Sequence, residues 1–402
     1  MKKSAIFTSL AFGSLILAGL TPGTTQPDPL PQQNGSDVNA TGSASFVDLV
    51  ALSEENQAAI EMAMQEAESV GLDPEQLAQH VDGQVFFSEV VNEFRRLHGQ
   101  HYISSRWLGG EGLLIVTAGG AELAEPLFDR YSVRGTSEER NMPNATAIEQ
   151  VQTAILDSIY AEHGAIANAS VDLERGTISV NVDRDLPRSE AELVSEIDTL
   201  GFEVSITVDP DAMDQAAAAR GGVGYNPSYC TGGFIVRQGT PLRYGVLTAR
   251  HCTSWPTVYD GNSTNGSVYH ASGRDLRVIW LNGSVTRTFR SNTSTYTTAT
   301  GQGDPSIGYF LCRWGKVTGR QCGSVYDDNY CSTGVLPGTT QCGLYKVSPT
   351  NVVGGDSGGP WFTGGRAYGI TSGYGPVNAP VYDLLVGAGA NNLSVLGVVV
   401  HR

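Results

Sequence analysis

The chain has 402 residues, 40% of them hydrophobic and 16% charged, with a formal net charge of −16. That length allows two or three domains with cores of their own. After residue 20 no apolar stretch is long enough to span a bilayer, and no nucleic-acid partner is expected.

The average hides a split. Residues 1–216 hold 11 Lys and Arg against 34 Asp and Glu, a net of −23. Residues 217–402 hold 14 Lys and Arg, only two of them Lys, against seven Asp and no Glu, a net of +7. Consecutive segments of opposite charge attract each other. The cysteines divide the same way: none precedes Cys230, and Cys230, Cys252, Cys312, Cys322, Cys331 and Cys342 follow. An even number in one half indicates three disulfides and an oxidising compartment. No Cys-x2-Cys spacing or paired His accompanies them, which argues against zinc.

From the amino terminus, Lys2 and Lys3 precede an uncharged apolar run, Ala5–Leu20, which Pro22 and Gly23 break. This is the pattern of a secretory signal peptide, placed at 1–25. Residues 26–52, rich in Pro, Gln, Gly, Ser and Thr, read as a disordered spacer. Ser53 offers a helix N-cap. Leu77, Val81, Phe86, Val90 and Phe94 predict a second helix over 74–97. A short strand is expected at 112–117, a hairpin at 169–183 around Arg175-Gly176, a helix at 189–200 and a strand at 202–208. Residues 53–216 are therefore an acidic α+β region.

The texture changes at 214–221, where a run of four alanines, Ala216–Ala219, lies. Beyond residue 216 come 32 of the 49 glycines, with β-branched and aromatic runs every ten residues or so. That spacing predicts an antiparallel all-β domain, a sandwich or barrel, over 217–402.

The strongest chemical signal is Gly354-Gly355-Asp356-Ser357-Gly358-Gly359-Pro360. A serine nucleophile needs a tight turn to project its hydroxyl, and N–H groups free to meet an oxyanion. Glycines on both sides permit the turn and a close approach of substrate. Such a serine needs a base, and this half has only His251, His270 and His401. His251 ends the strand-like Tyr244-Gly245-Val246-Leu247-Thr248-Ala249-Arg250-His251-Cys252. His270 lies in a polar loop, and His401 is penultimate.

These two patterns resemble the chymotrypsin family of serine proteases, in its chain order of His, Asp and Ser. The segment Cys312-Arg313-Trp314-Gly315-x-x-Thr318-Gly319-x-x-Cys322-Gly323-x-Val325 is similar to the bacterial branch of streptogrisins and α-lytic protease. About the last 185 residues share the resemblance. It implies two antiparallel six-stranded β-barrels and a triad whose acid opens a short apolar strand. Asp275, before Leu276-Arg277-Val278-Ile279-Trp280, fits that place, with Asp304 and Asp260 as alternatives.

By the same likeness, the N–H groups of Gly355 and Ser357 would form the oxyanion hole, and Arg313 would pair with Asp356. Bridges Cys230–Cys252 and Cys312–Cys322 are implied, which leaves Cys331 and Cys342 for each other. Ser372-Gly373-Tyr374 matches the strand that receives substrate backbone, and Val352 and Val353 fall near the pocket floor with Asn351. No acid is among these, so cleavage after small or medium apolar residues is expected, in keeping with self-cleavage within Ala216–Ala219.

The resemblance further implies that the acidic half is a pro region, assisting folding and blocking the site until removed. Protein or peptide substrates, no metal or cofactor, a monomeric mature form and secretion from a bacterial host complete the expectation. A non-catalytic secreted binding protein on the same fold is the alternative.

Overall fold

A computed structural model describes residues 46–186, 190–209, 215–216, 230–239, 242–252, 258–259, 262–270, 273–283, 285–336, 338–348, 351–375, 383–387, 393 and 395–402. The expected signal peptide, residues 26–45 of the spacer, and Asp260 lie outside them. All the described residues belong to one compact unit, Ser43–Arg402.

Helix α1 spans Phe46–Glu66, so residues 46–52, expected as spacer, are helical. Helix α2, Pro74–Val81, starts where Pro74 occupies the first turn and the Asp73 carboxylate accepts the Gln76 N–H at 2.9 Å. The single helix expected over 74–97 is two. Gly83, at φ +92°, breaks it before α3, Gln84–His98. Strands β1 (Tyr102–Trp107) and β2 (Gly112–Val116) pair antiparallel. Helix α4 (Ala121–Tyr131) then crosses over to β3 (Gly135–Glu139), which runs parallel to β2.

Helix α5 (Ala145–His163) is capped by the Asn144 side chain on the Ala147 N–H and ends at left-handed Gly164. The hairpin of β4 (Ala167–Asp172) and β5 (Thr177–Val182) follows, and β6 (Glu203–Val208) joins β5 in parallel. In place of the helix expected over 189–200 stands a five-residue α6, Glu190–Val194. Two residues, β7 (Gln215–Ala216), close the described amino half.

The regular elements described in the carboxyl half are strands. Those of its first part are β8 (Ile235–Gln238), β9 (Arg243–Thr248), β10 (Val258–Tyr259), β11 (Asn262–His270) and β12 (Arg277–Asn282). Together with β22 (Val399–Val400) they form a six-stranded sheet in the order β10-β11-β12-β9-β8-β22. A small hairpin pairs β13 (Thr288–Arg290) with β14 (Tyr296–Thr298).

The second part holds β15 (Gly301–Gln302), β16 (Phe310–Gly315), β17 (Gly319–Ser332), β18 (Gln341–Ser348), β19 (Pro360–Thr363), β20 (Arg366–Tyr374) and β21 (Asp383–Gly387). Its strands are ordered β16-β19-β20-β21-β18-β17, and β16 also pairs with β17. The far end of the 14-residue β17 continues into the amino half, where Tyr330, Cys331 and Ser332 pair with Ser170, Ala169 and Asn168 of β4.

Burial follows these pairings. Ile148, Val151, Ile155 and Ile159 of α5 share one core with Ile178, Val180, Val182, Cys331 and Cys342. A larger core runs from Phe87 and Phe94 of α3 to Tyr309, Phe310 and Trp361.

Candidate active site

Strand register brings the first two side chains together. Thr248 of β9 pairs with Arg277 of β12, so the residues just beyond, on opposite strands, converge at one sheet end. There the Arg250 N–H donates to the Asp275 carbonyl at 3.3 Å. The His251 N–H donates to Asp275 Oδ1 at 2.9 Å, and His251 Nδ1 stands 2.7 Å from Asp275 Oδ2. On the imidazole's other side, Nε2 lies 2.8 Å from Ser357 Oγ. Asp275 and Ser357 are buried, and His251 is nearly so.

A fourth group completes this line. Ser372 Oγ donates to Asp275 Oδ2 at 2.6 Å, so one carboxylate oxygen faces both a hydroxyl and an imidazole nitrogen. From the sequence Ser372 was expected only to receive substrate backbone. The rival acid Asp304 is buried elsewhere, 3.0 Å from Arg95 of α3.

The turn bearing Ser357 is held from both flanks. Gly355 adopts φ +107° and its carbonyl accepts from Thr231 Oγ1 at 2.7 Å, while the Thr231 N–H donates to the Ser357 carbonyl at 2.7 Å. Cys230 and Cys252 are joined across 22 residues, so the bridge fastens Thr231 beside the turn after His251. Gly358, at φ +83°, passes so close to Thr248 Oγ1 and the Thr231 carbonyl that any Cβ would collide with both.

Asp356 is wholly buried. Its carboxylate accepts from the N–H groups of Val317, Thr318 and Val353 at 2.9, 3.2 and 3.2 Å and from Thr318 Oγ1 at 2.6 Å. Arg313 Nη1 stands 3.5 Å away, with its other arm 3.1 Å from Gln321 Oε1. Gly315 leaves room for that carboxylate. Thr318 and Gly315 stand inside the cysteine motif, whereas nothing in the local sequence marked Thr231 or Gln321.

The other cysteines are also joined, Cys312–Cys322 across the β16–β17 pair and Cys331–Cys342 across 11 residues. Val352 is buried, Val353 and Tyr374 are half-buried, and Asn351 is exposed. Along β20, Gly373 pairs with Ala216 and Tyr374 with Gln215, antiparallel, so the end of the described amino half lies as an added strand on this edge.

A hydroxyl, an imidazole and a buried carboxylate in one hydrogen-bonded line, on an antiparallel all-β half, define a chymotrypsin-like serine endopeptidase, a hydrolase. Serine protease 2 of Streptomyces fradiae is 34% identical over 165 residues, 36% of this chain and 86% of that one. Streptogrisin-C of Streptomyces griseus is 27% identical over 384 residues, 91% of this chain and 76% of its own length. Thermobifida fusca Protease A is a solved structure 31% identical over 43% of this chain and 92% of its own, with a TM-score of 0.36. No protein-family model matches. The chain belongs to the streptogrisin-type bacterial serine proteases.

Proposed function

We propose that the chain is the precursor of a secreted endopeptidase, with residues 53–216, extended back to Phe46, as its pro region and 217–402 as its protease domain. His251 takes the Ser357 proton as the hydroxyl attacks a peptide carbonyl, and Asp275 orients the imidazole and stabilises its protonated form. The N–H groups of Gly355 and Ser357 receive the oxyanion. His251 then protonates the leaving amine, and water repeats the cycle on the acyl-enzyme. The observation that carries this is the imidazole bridging Asp275 at 2.7 Å and Ser357 at 2.8 Å.

The Arg313–Asp356 contact steadies the nucleophile turn. Ser372, Gly373 and Tyr374 receive substrate backbone, a role supported by the strand Gln215–Ala216 lying there. The same strand supports inhibition of the cleft by the pro region. Val352 and Val353 near the pocket bring no acid, which favours cleavage after small or medium apolar residues. Pairing of β16 with β17 and β19, through β18, β21 and β20, supports the second of two antiparallel barrels. Export is supported by the Lys2, Lys3 and apolar pattern and by three disulfides.

The test is to express the full chain with and without Ser357→Ala. The unchanged chain should cut itself between the halves and then take up a serine-directed phosphonylating reagent, and a peptide-library digest should favour small apolar residues. Self-cutting and peptide hydrolysis by Ser357→Ala would defeat the mechanism. A digest dominated by Arg, Lys or Glu would defeat the specificity alone.

A further inference from the structure

Arg366, the first residue of β20, is a fully buried arginine at the opposite end of that strand from Ser372. Its Nη1 donates to Glu55 Oε2 of α1 at 2.9 Å, and its Nη2 bonds Glu89 Oε1 of α3. Nη2 also donates to the Gln302 carbonyl at 2.7 Å, and Nε to Ser88 Oγ at 3.3 Å. Among the described residues, both carboxylates on this guanidinium come from the amino half.

The surroundings are shaped to this contact. Gly301 is glycine where a Cβ would run into Arg366 Nη1 and crowd Glu55 Oε2. The β19–β20 turn at Gly364 lies against Ala58 and Ala59 of α1, small residues meeting a glycine. Six residues further along α3 the charges reverse, with Arg95 3.0 Å from Asp304. Between them Asn92 reads backbone, its Nδ2 on the Gln302 carbonyl at 3.1 Å and its Oδ1 facing the Asp304 N–H at 3.4 Å. At the start of α3 the buried Gln84 bonds both the N–H and the carbonyl of Phe310. A buried charge deprived of its partner is costly, so a guanidinium neutralised by another segment binds the two segments together.

We propose that Arg366 is a point at which the carboxyl half recognises the amino half, reading two glutamates presented by α1 and α3. This seat keeps the halves associated after the chain between them is cut. The inference rests on the pro-region reading above and adds to it a buried ionic anchor, apart from the strand in the cleft and the pairing of β17 with β4.

The test has two arms on the full chain. In a Ser357→Ala background, Arg366→Met, Glu89→Gln and the pair together are compared by urea unfolding. Coupling predicts that the double variant's midpoint shifts no further than the larger single shift; additive shifts overturn the contact. The second arm needs no variant at the seat. Arginine modification by phenylglyoxal, mapped by mass spectrometry, is followed on the unsubstituted chain before and after the junction is cut. The cut is made by the chain itself or, if it does not cut itself, by an added endopeptidase. Arg366 should stay protected after the cut. Its becoming reactive together with the cut overturns the proposal, whereas failure to self-cut counts against the precursor reading alone.

Discussion

Ser372 Oγ and His251 Nδ1 share a single oxygen of Asp275, at 2.6 and 2.7 Å. Substituting Ser372→Ala removes a hydrogen bond to a charged group, typically about 1.5–3 kcal/mol. We expect kcat/KM to fall at least about tenfold without loss of folding, measured by steady-state hydrolysis of a peptide amide. Asp275→Asn should cost far more, about 10⁴ in kcat, because it favours the wrong imidazole tautomer. Equal losses in the two variants would count against these separate roles.

Gly358→Ala tests the packing of the nucleophile turn on the His251 strand. The added methyl meets Thr248 Oγ1 and the Thr231 carbonyl, at a φ of +83° that alone costs about 1–3 kcal/mol in a non-glycine residue. The variant should unfold at lower denaturant and lose activity together. A chain of unchanged midpoint would show that the turn relaxes freely.

Removing the cation beside Asp356 should be harmful although four other groups bond that carboxylate. Breaking one partner of a buried pair costs about 3–5 kcal/mol. Arg313→Met is expected at the lower end of that range, because three N–H groups and Thr318 Oγ1 remain. Equilibrium unfolding of the Ser357→Ala chain with and without the change measures it.

Asp328 supplies a pH dependence. It lines a cavity of about 220 Å³ with Arg95, Glu149, Arg274 and Tyr345, and accepts from Ser104 Oγ at 2.9 Å. Desolvation pushes its carboxyl up to about 6 from an ordinary 3.8. A folded-state value above the unfolded one means that the folded chain is penalised progressively as pH rises from about 4 to 6. Asp328→Asn should therefore gain stability relative to its parent across that window and hold the gain above it. A difference independent of pH would refute the assignment.

Legibility in the sequence followed chemical constraint. The glycine-rich run around Ser357 and the His251-Cys252 step were visible because few residue types serve a nucleophile and its base. The structure places those two side chains 2.8 Å apart. The β4–β5 hairpin was visible in its alternation about Arg175-Gly176. Helix α4 escaped because Pro126 interrupts its interior, whereas α5 was not expected although its buried Ile148, Val151, Ile155, Leu156 and Ile159 do recur at helical spacing on one face. The break between α2 and α3 turns on one positive φ at Gly83, which periodicity does not register. Thr231, Ser372 and Gln321 act through contacts that only the folded chain creates.

The reach of β17 beyond its own hairpin has a further consequence. Its last residues, Tyr330, Cys331 and Ser332, find hydrogen-bonding company on β4. A carboxyl half that has shed its neighbour therefore bares a short ribbon of unpaired backbone, the sort of edge on which copies of a protein stick to one another. The Cys331–Cys342 bridge ties that ribbon to β18 at the same spot.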